Sequence, residues 1–398
     1  MSAAHEDRSR AAVLPLILSL GFRPFFLGGA AWALIALTLW IAALSGALTL
    51  PTRFDPVAWH RHEMLFGYLG AVIAGFLLTA VPNWTGRSPI AGGRLALLAG
   101  LWLAARLAML CSAHVGGLIA ALLDVGFLAL LAVMIGREIV LARNRNVPLA
   151  IALGLLTLAC ALDHVDALGV AAFTGVGWRA GFAIVIGLIA LIGGRIIPAF
   201  TRNWLARQRG PGRLPAQADG FDKLALALLA VALLCWVAGP DGRLAGALLL
   251  AAGLGQAGRL ARWVGLRCVR EPLVFILHLS FLWLPLGLIL LGGAVFVEGA
   301  FVSAALHLLS AGAMASMTLA VMTRATLGHT GRPLRADGPT LGIFALVTIG
   351  ALLRVAAPLL PDYLAAIEVA AAFWGGAFLL FLLSYGPKLL SARVDGQS

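Results

Sequence analysis

Three side chains able to hold a metal, His60, His62 and Glu63, stand within four residues in the stretch WHRHE, and an uncharged run from Met64 to Val81 follows directly. Asp55 before Pro56 reads as a helix start, with Asp as N-cap and Pro at the first helical position, where its missing N–H costs nothing. The helix is therefore already running at His60, and the apolar run beyond is long enough to cross a hydrocarbon core of about 30 Å at about 1.5 Å per residue. His60 and His62 are two residues apart and point roughly 200° from each other, so they serve different sites or one of them is a solvated entrance residue. Ionisable groups inside membrane spans are costly and mark function, which brings in His278, His307 and, just past a span end, His329. His62 and His307 both lie within about two turns of one membrane face. Two histidines facing each other at one depth is what a bis-imidazole haem requires, and the pair is the expected axial set. Copper accepts the same neutral imidazole, so a haem on one histidine with copper on the other, beside His60 or His278, stays open.

The remaining polar residues divide by depth and company. Arg195 in GGRIIPAFTRNW is deeper than an anchoring arginine and follows two glycines. Its planar fork suits an anion such as a haem propionate. Arg202 and Arg324 read as anchors at span ends, and His329 and Arg324 are expected to position a helix or an anionic group without reaching the metal. His114 and His164, near loop ends without partners in sequence, read as packing residues hydrogen-bonded across helices. Met64, Met314, Met317 and Met322 read as filler. The four cysteines, Cys111, Cys160, Cys235 and Cys268, are spread singly, which excludes a zinc knuckle and a CxxC redox site. Nothing resembles a phosphate-binding loop, a nucleophile triad or a dinucleotide fingerprint.

The elements that must position these groups are membrane helices. The chain is 61% hydrophobic and only 12% charged, with a mean hydropathy of +0.98, a composition of a mostly bilayer-embedded protein. Its net charge of +12 is scattered between apolar runs and is no nucleic-acid patch. Twelve runs of spanning length fall near 25–45, 62–82, 95–113, 116–136, 148–168, 178–200, 222–239, 243–262, 272–293, 300–323, 339–358 and 363–386. With the N-terminus inside, 22 of the 29 Lys and Arg residues fall on the inner side and five, Arg53, Arg61, Arg179, Arg243 and Arg354, on the outer, Arg106 and Arg195 lying within spans. That asymmetry predicts cytoplasmic termini and places His60, His62 and His307 toward the periplasm. MSAAHEDRSRAAVLP at 1–15 lacks an apolar core and a cleavage site and is not read as a signal peptide. Loops are short, so residues 1–398 are expected to form one domain. Span two echoes span ten: His62 precedes Thr85-Gly86-Arg87 as His307 precedes Thr330-Gly331-Arg332, and Gly67 and Gly312 share the offset. Span six ends in a related Thr201-Arg202-Asn203-Trp204. Spans two, six and ten are four apart, which suggests three four-helix units in an all-α membrane protein, unless basic turns at helix ends have converged.

GFRPFF at 21–26, AWHRHEMLFGY at 58–68, GFLLTAVPNWTGR at 75–87, GGRIIPAFTRNWL at 193–205 and MTLAVMTRATLGHTGRPL at 317–334 resemble the NnrS family of bacterial membrane proteins over nearly the whole chain. The resemblance implies haem b and copper, an inner-membrane location, and a role in the response to nitric oxide during denitrification or nitrosative stress. It favours His60, His62, Glu63, His278, His307 and His329 as metal-related positions. Nitric oxide, the lipid bilayer and a quinol or other electron donor are the implied partners. Metal-centred NO binding or redox chemistry is the leading expectation. A transporter or metal-delivery factor is the alternative, and an NO-binding protein without turnover a third. The pattern is also similar to the haem-copper oxidases but departs from them at span six, where their copper-binding histidine is missing.

Overall fold

The computed structural model describes residues 16–170, 174–208, 212–297 and 301–394. The stretch 1–15, with Arg8 and Arg10, and Arg209 lie outside them. Twelve helices are long and apolar enough to cross a membrane: α1 Phe22–Leu44, α2 Pro56–Thr85, α3 Gly93–Leu110, α4 Gly117–Leu141, α5 Val147–Ala167, α6 Val176–Gln208, α7 Gly220–Ala238, α8 Arg243–Arg262, α9 Pro272–Ala294, α10 Val302–His329, α11 Gly338–Leu359 and α12 Tyr363–Leu389. No strand occurs among the described residues. The protein is therefore a multi-pass membrane protein.

The ends follow the expected chemistry, and the lengths exceed it. Asp55 caps α2, its carboxylate accepting from the N–H groups of Val57 at 2.9 Å and Ala58 at 3.2 Å. Helices α2, α6 and α10 run to 30, 33 and 28 residues, well past the roughly 20 that cross the hydrocarbon core. Hydropathy marks only the lipid-depth part of each, whereas the helical hydrogen bonds continue into the polar residues at both ends.

Consecutive helices pack side by side, and α12 returns against α1. Leucines on the outer helices, among them Leu118, Leu122, Leu234 and Leu254, are exposed where lipid lies. Helices α2, α6, α9 and α10 are the most thoroughly buried. Small residues on α2 allow close helix approach: a Cβ at Gly75 would stand 2.8 Å from the Phe26 ring of α1, while Gly70 faces Phe127 of α4. On the far side of the site Gly177 brings α6 onto α5, where a Cβ would overlap the Asp163 backbone.

Helices α2 and α10 share a local irregularity. In α2 an α-helical turn ends at His62 and a π-helical segment, Glu63–Tyr68, follows; in α10 the same change comes at His307, before Leu308–Met314. Gly67 and Gly312 lie inside these segments. Both segments contact α6. Such wide turns re-aim neighbouring side chains and recur at functional sites.

Candidate functional site

Two sites lie at the end of the bundle where α2 and α10 begin. The first is a cavity of about 680 Å³ whose wall includes Trp40 of α1, His60, Arg61, Met64 and Tyr68 of α2, Trp178 of α6, Ser303, His307 and Met314 of α10, Arg354 of α11, and Tyr363 and Trp374 of α12. His60 stacks on Trp40 with centroids 4.9 Å apart. Arg61 lies over the Trp178 ring at 4.7 Å. His307 Nδ1 lies 2.7 Å from the Ser303 carbonyl oxygen. A carbonyl only accepts, so Nδ1 carries the proton and Nε2 keeps its lone pair, the tautomer that a metal-ligating histidine uses.

The polar atoms of this wall are under-satisfied. His60 Nδ1, Arg61 Nε, Arg354 Nη1 and Trp374 Nε1 are buried with no hydrogen-bond partner in the protein. Buried polar atoms without partners cost about 1–3 kcal/mol each, so their concentration in this lining points to a polar ligand. A haem fits what is present: aromatic and aliphatic walls for the ring, imidazole nitrogens for iron, and the guanidiniums of Arg61 and Arg354 for carboxylates.

The second site is a buried ionic cluster between α2, α3, α4 and α5. His62 is fully buried, with Nδ1 2.7 Å from Asp163 Oδ2 and Nε2 2.7 Å from Asp124 Oδ2. His164 Nε2 lies 3.1 Å from the same Asp124 oxygen, and the Cys160 thiol donates to it at 3.2 Å. Arg106 donates to Asp124 Oδ1 and, at 2.6 Å, to Glu63 Oε2, which also accepts from Trp32 Nε1 at 2.6 Å. The Asp163 carboxylate reaches outward to Arg61, 3.9 Å away. His62, Asp124, Cys160 and His164 each offer one ligand atom, all within 4.8 Å of one another.

Gly67 makes the cluster possible, because a Cβ there would stand 2.4 Å from Arg106 Nη1 and 2.7 Å from Glu63 Oε2. Gly67→Ala is expected to cost about 1–3 kcal/mol as an overpacking change. A lowered midpoint in thermal unfolding of the detergent-solubilised protein checks it; an unchanged midpoint would show that the ion pair yields.

The structure thus pairs the sequence candidates differently. His60, not His62, shares a cavity with His307: His62 turns to the cluster, where both ring nitrogens already have carboxylate partners. Glu63 is fully buried beside Arg106 and is not on the cavity wall. His278 and His329 are at the opposite end of the bundle, His278 bonded through Nε2 to the Thr201 hydroxyl at 2.7 Å and His329 packed on Phe22 at 5.5 Å. Arg195 is exposed there and donates to Asn146 Oδ1 at 2.9 Å, away from the cavity, whose lining arginines are Arg61 and Arg354. Arg324 lies over the Phe200 ring at 4.1 Å.

Asp124 and Asp163 escaped the sequence reading, Cys160 stands out there only as a single cysteine, and His164, read as a packing residue hydrogen-bonded across helices, does bond across to Asp124 of α4 but within this cluster. Two signals were present: Cys160, Asp163 and His164 fall at i, i+3 and i+4 on one helix face, and Asp124 is a lone acid inside an apolar span.

Among curated proteins none matches the chain. The family model described as NnrS protein matches residues 16–393, and the chain belongs to the NnrS family.

Proposed function

We propose that the protein is a haem-containing protein of the bacterial inner membrane that acts in nitric oxide metabolism or nitrosative-stress tolerance, with NO bound or reduced at a metal in the α2–α10 cavity. The observation that carries this is the cavity wall, where His307 is held in the ligating tautomer and nitrogens of His60, Arg61, Arg354 and Trp374 have no partner in the protein. When bound, haem supplies an iron that takes up NO and exchanges electrons. His307 would hold the iron through Nε2, His60 lines the same cavity, and Trp40, Trp178 and Trp374 would exclude water from it. Arg61 and Arg354 would neutralise the carboxylates. With the termini in the cytoplasm the cavity faces the periplasmic half of the membrane. Its margin at Leu44, Val57 and Tyr363, at the ends of their helices, is apolar and exposed, an entry suited to an uncharged diatomic and to a quinol donor.

Titrating the purified, reduced full-length protein with NO tests this. A saturable shift of the haem spectrum is expected, and consumption of NO with a quinol would make the protein an enzyme. A haem spectrum indifferent to NO would overturn the reading and leave transport or metal delivery as the family role.

A further inference from the structure

We infer that His62, Asp124, Cys160 and His164 form a site for one thiophilic divalent cation, copper or zinc, distinct from the cavity. The inference stands on the cluster's own geometry. Two imidazole nitrogens and a thiol converge on a single carboxylate oxygen, Asp124 Oδ2, at 2.7, 3.1 and 3.2 Å. Tetrahedral metal–ligand bonds of about 2.0–2.3 Å space their ligands by about 3.3–3.8 Å, so four atoms already within 4.8 Å of one another close around one ion with small side-chain movements. The set is of mixed softness, two nitrogens, one sulfur and one oxygen, which suits copper and zinc and not magnesium or calcium.

The surroundings are those of a metal centre. Asp163 Oδ2 holds His62 Nδ1 at 2.7 Å, so Nδ1–H donates outward and Nε2, which faces Asp124 Oδ2 at 2.7 Å, is the nitrogen placed to take an ion, the carboxylate–histidine–metal arrangement. Arg106 fixes the other Asp124 oxygen, and Arg61 faces Asp163. All four ligands are at most 2% exposed. Within the cluster His164 Nδ1 and Glu63 Oε1 are buried without partners, so hydrogen bonding alone does not complete it.

Charge selects the valence. Glu63, Asp124 and Asp163 carry three negative charges, while Arg61 and Arg106 carry two positive ones. The remaining single negative charge and that of a Cys160 thiolate are together offset by one divalent ion, as a low-dielectric interior requires.

The test is metal analysis of the full-length protein purified from membranes, with haem content measured on the same samples so that failure of the cavity reading registers separately. About one copper or zinc per chain is expected. Cys160→Ser and His164→Gln are each expected to lose it while haem stays, and Asp163→Asn to weaken affinity about 10–100-fold. Cobalt(II) loading of the chelated protein avoids any folding defect: a thiolate-to-cobalt band is expected, and it persists in a variant with Cys111, Cys235 and Cys268 all changed to serine. Absence of that band in the wild-type chain, or copper and zinc retained in full by both Cys160→Ser and His164→Gln, would overturn the site.

Discussion

Replacing Arg106 by methionine is expected to destabilise the protein by about 3–5 kcal/mol, the cost of breaking a buried ion pair from one side. The side chain is fully buried and is the cation that lies between Glu63 and Asp124, neither of which has any exposed surface. Methionine fills comparable space and removes the charge, leaving two carboxylates in an apolar interior. Lysine keeps the charge but not the fork that reaches both acids at once, so Arg106→Lys is expected to fall between the two. Thermal unfolding followed by size-exclusion chromatography in detergent measures the difference. A methionine variant that unfolds with the wild type would mean that the carboxylates are held protonated and that Arg106 is not their counter-ion.

The same cluster shows where sequence reasoning reaches and where it stops. Hydropathy alone delimits twelve spans, because every stretch that crosses hydrocarbon must be apolar over its length, and Asp55-Pro56 marks the start of α2 because cap and proline chemistry are local. Depth was legible too: His60, His62 and His307 lie at one end of the bundle and His278 and His329 at the other. That His60 and His62 face different sites followed from their spacing, but the absolute rotation of α2, and so which of the two meets His307, did not. His60 and His62 share a depth and face opposite ways, and α4 and α5 supply the carboxylates that take His62 while α1 supplies the tryptophan that takes His60. That choice depends on which helices neighbour α2, and neighbour order is a tertiary property. Arg195 failed for a related reason: two glycines before it suggested a buried guanidinium, yet in the fold it is Gly194 that is buried, pressed by the Arg259 side chain, while Arg195 turns outward. Arg354 was counted only among the outer-side basic residues, and the convergence of α10, α11 and α12 shows that it lines the cavity.

His307→Ala is expected to strip most of the haem from the purified protein. Its Nε2 is the nitrogen whose lone pair is fixed by the protein's own backbone, through the Nδ1 contact with Ser303, and no carboxylate competes for it as at His62. Arg354→Gln removes the cation on the same wall while leaving a hydrogen-bond donor, and a smaller loss of haem is expected, with a lowered stability of the bound state. Both variants should keep the copper or zinc of the His62 cluster, because the two sites share only Arg61 between them.

Absorption in the Soret region, recorded on full-length wild type, His307→Ala and Arg195→Ala purified side by side, tests the central claim most directly. A Soret band in the wild type and in Arg195→Ala, and its loss from His307→Ala at unchanged protein yield, is the predicted result. A wild type without the band, or His307→Ala with the wild-type spectrum and haem content, would contradict the account.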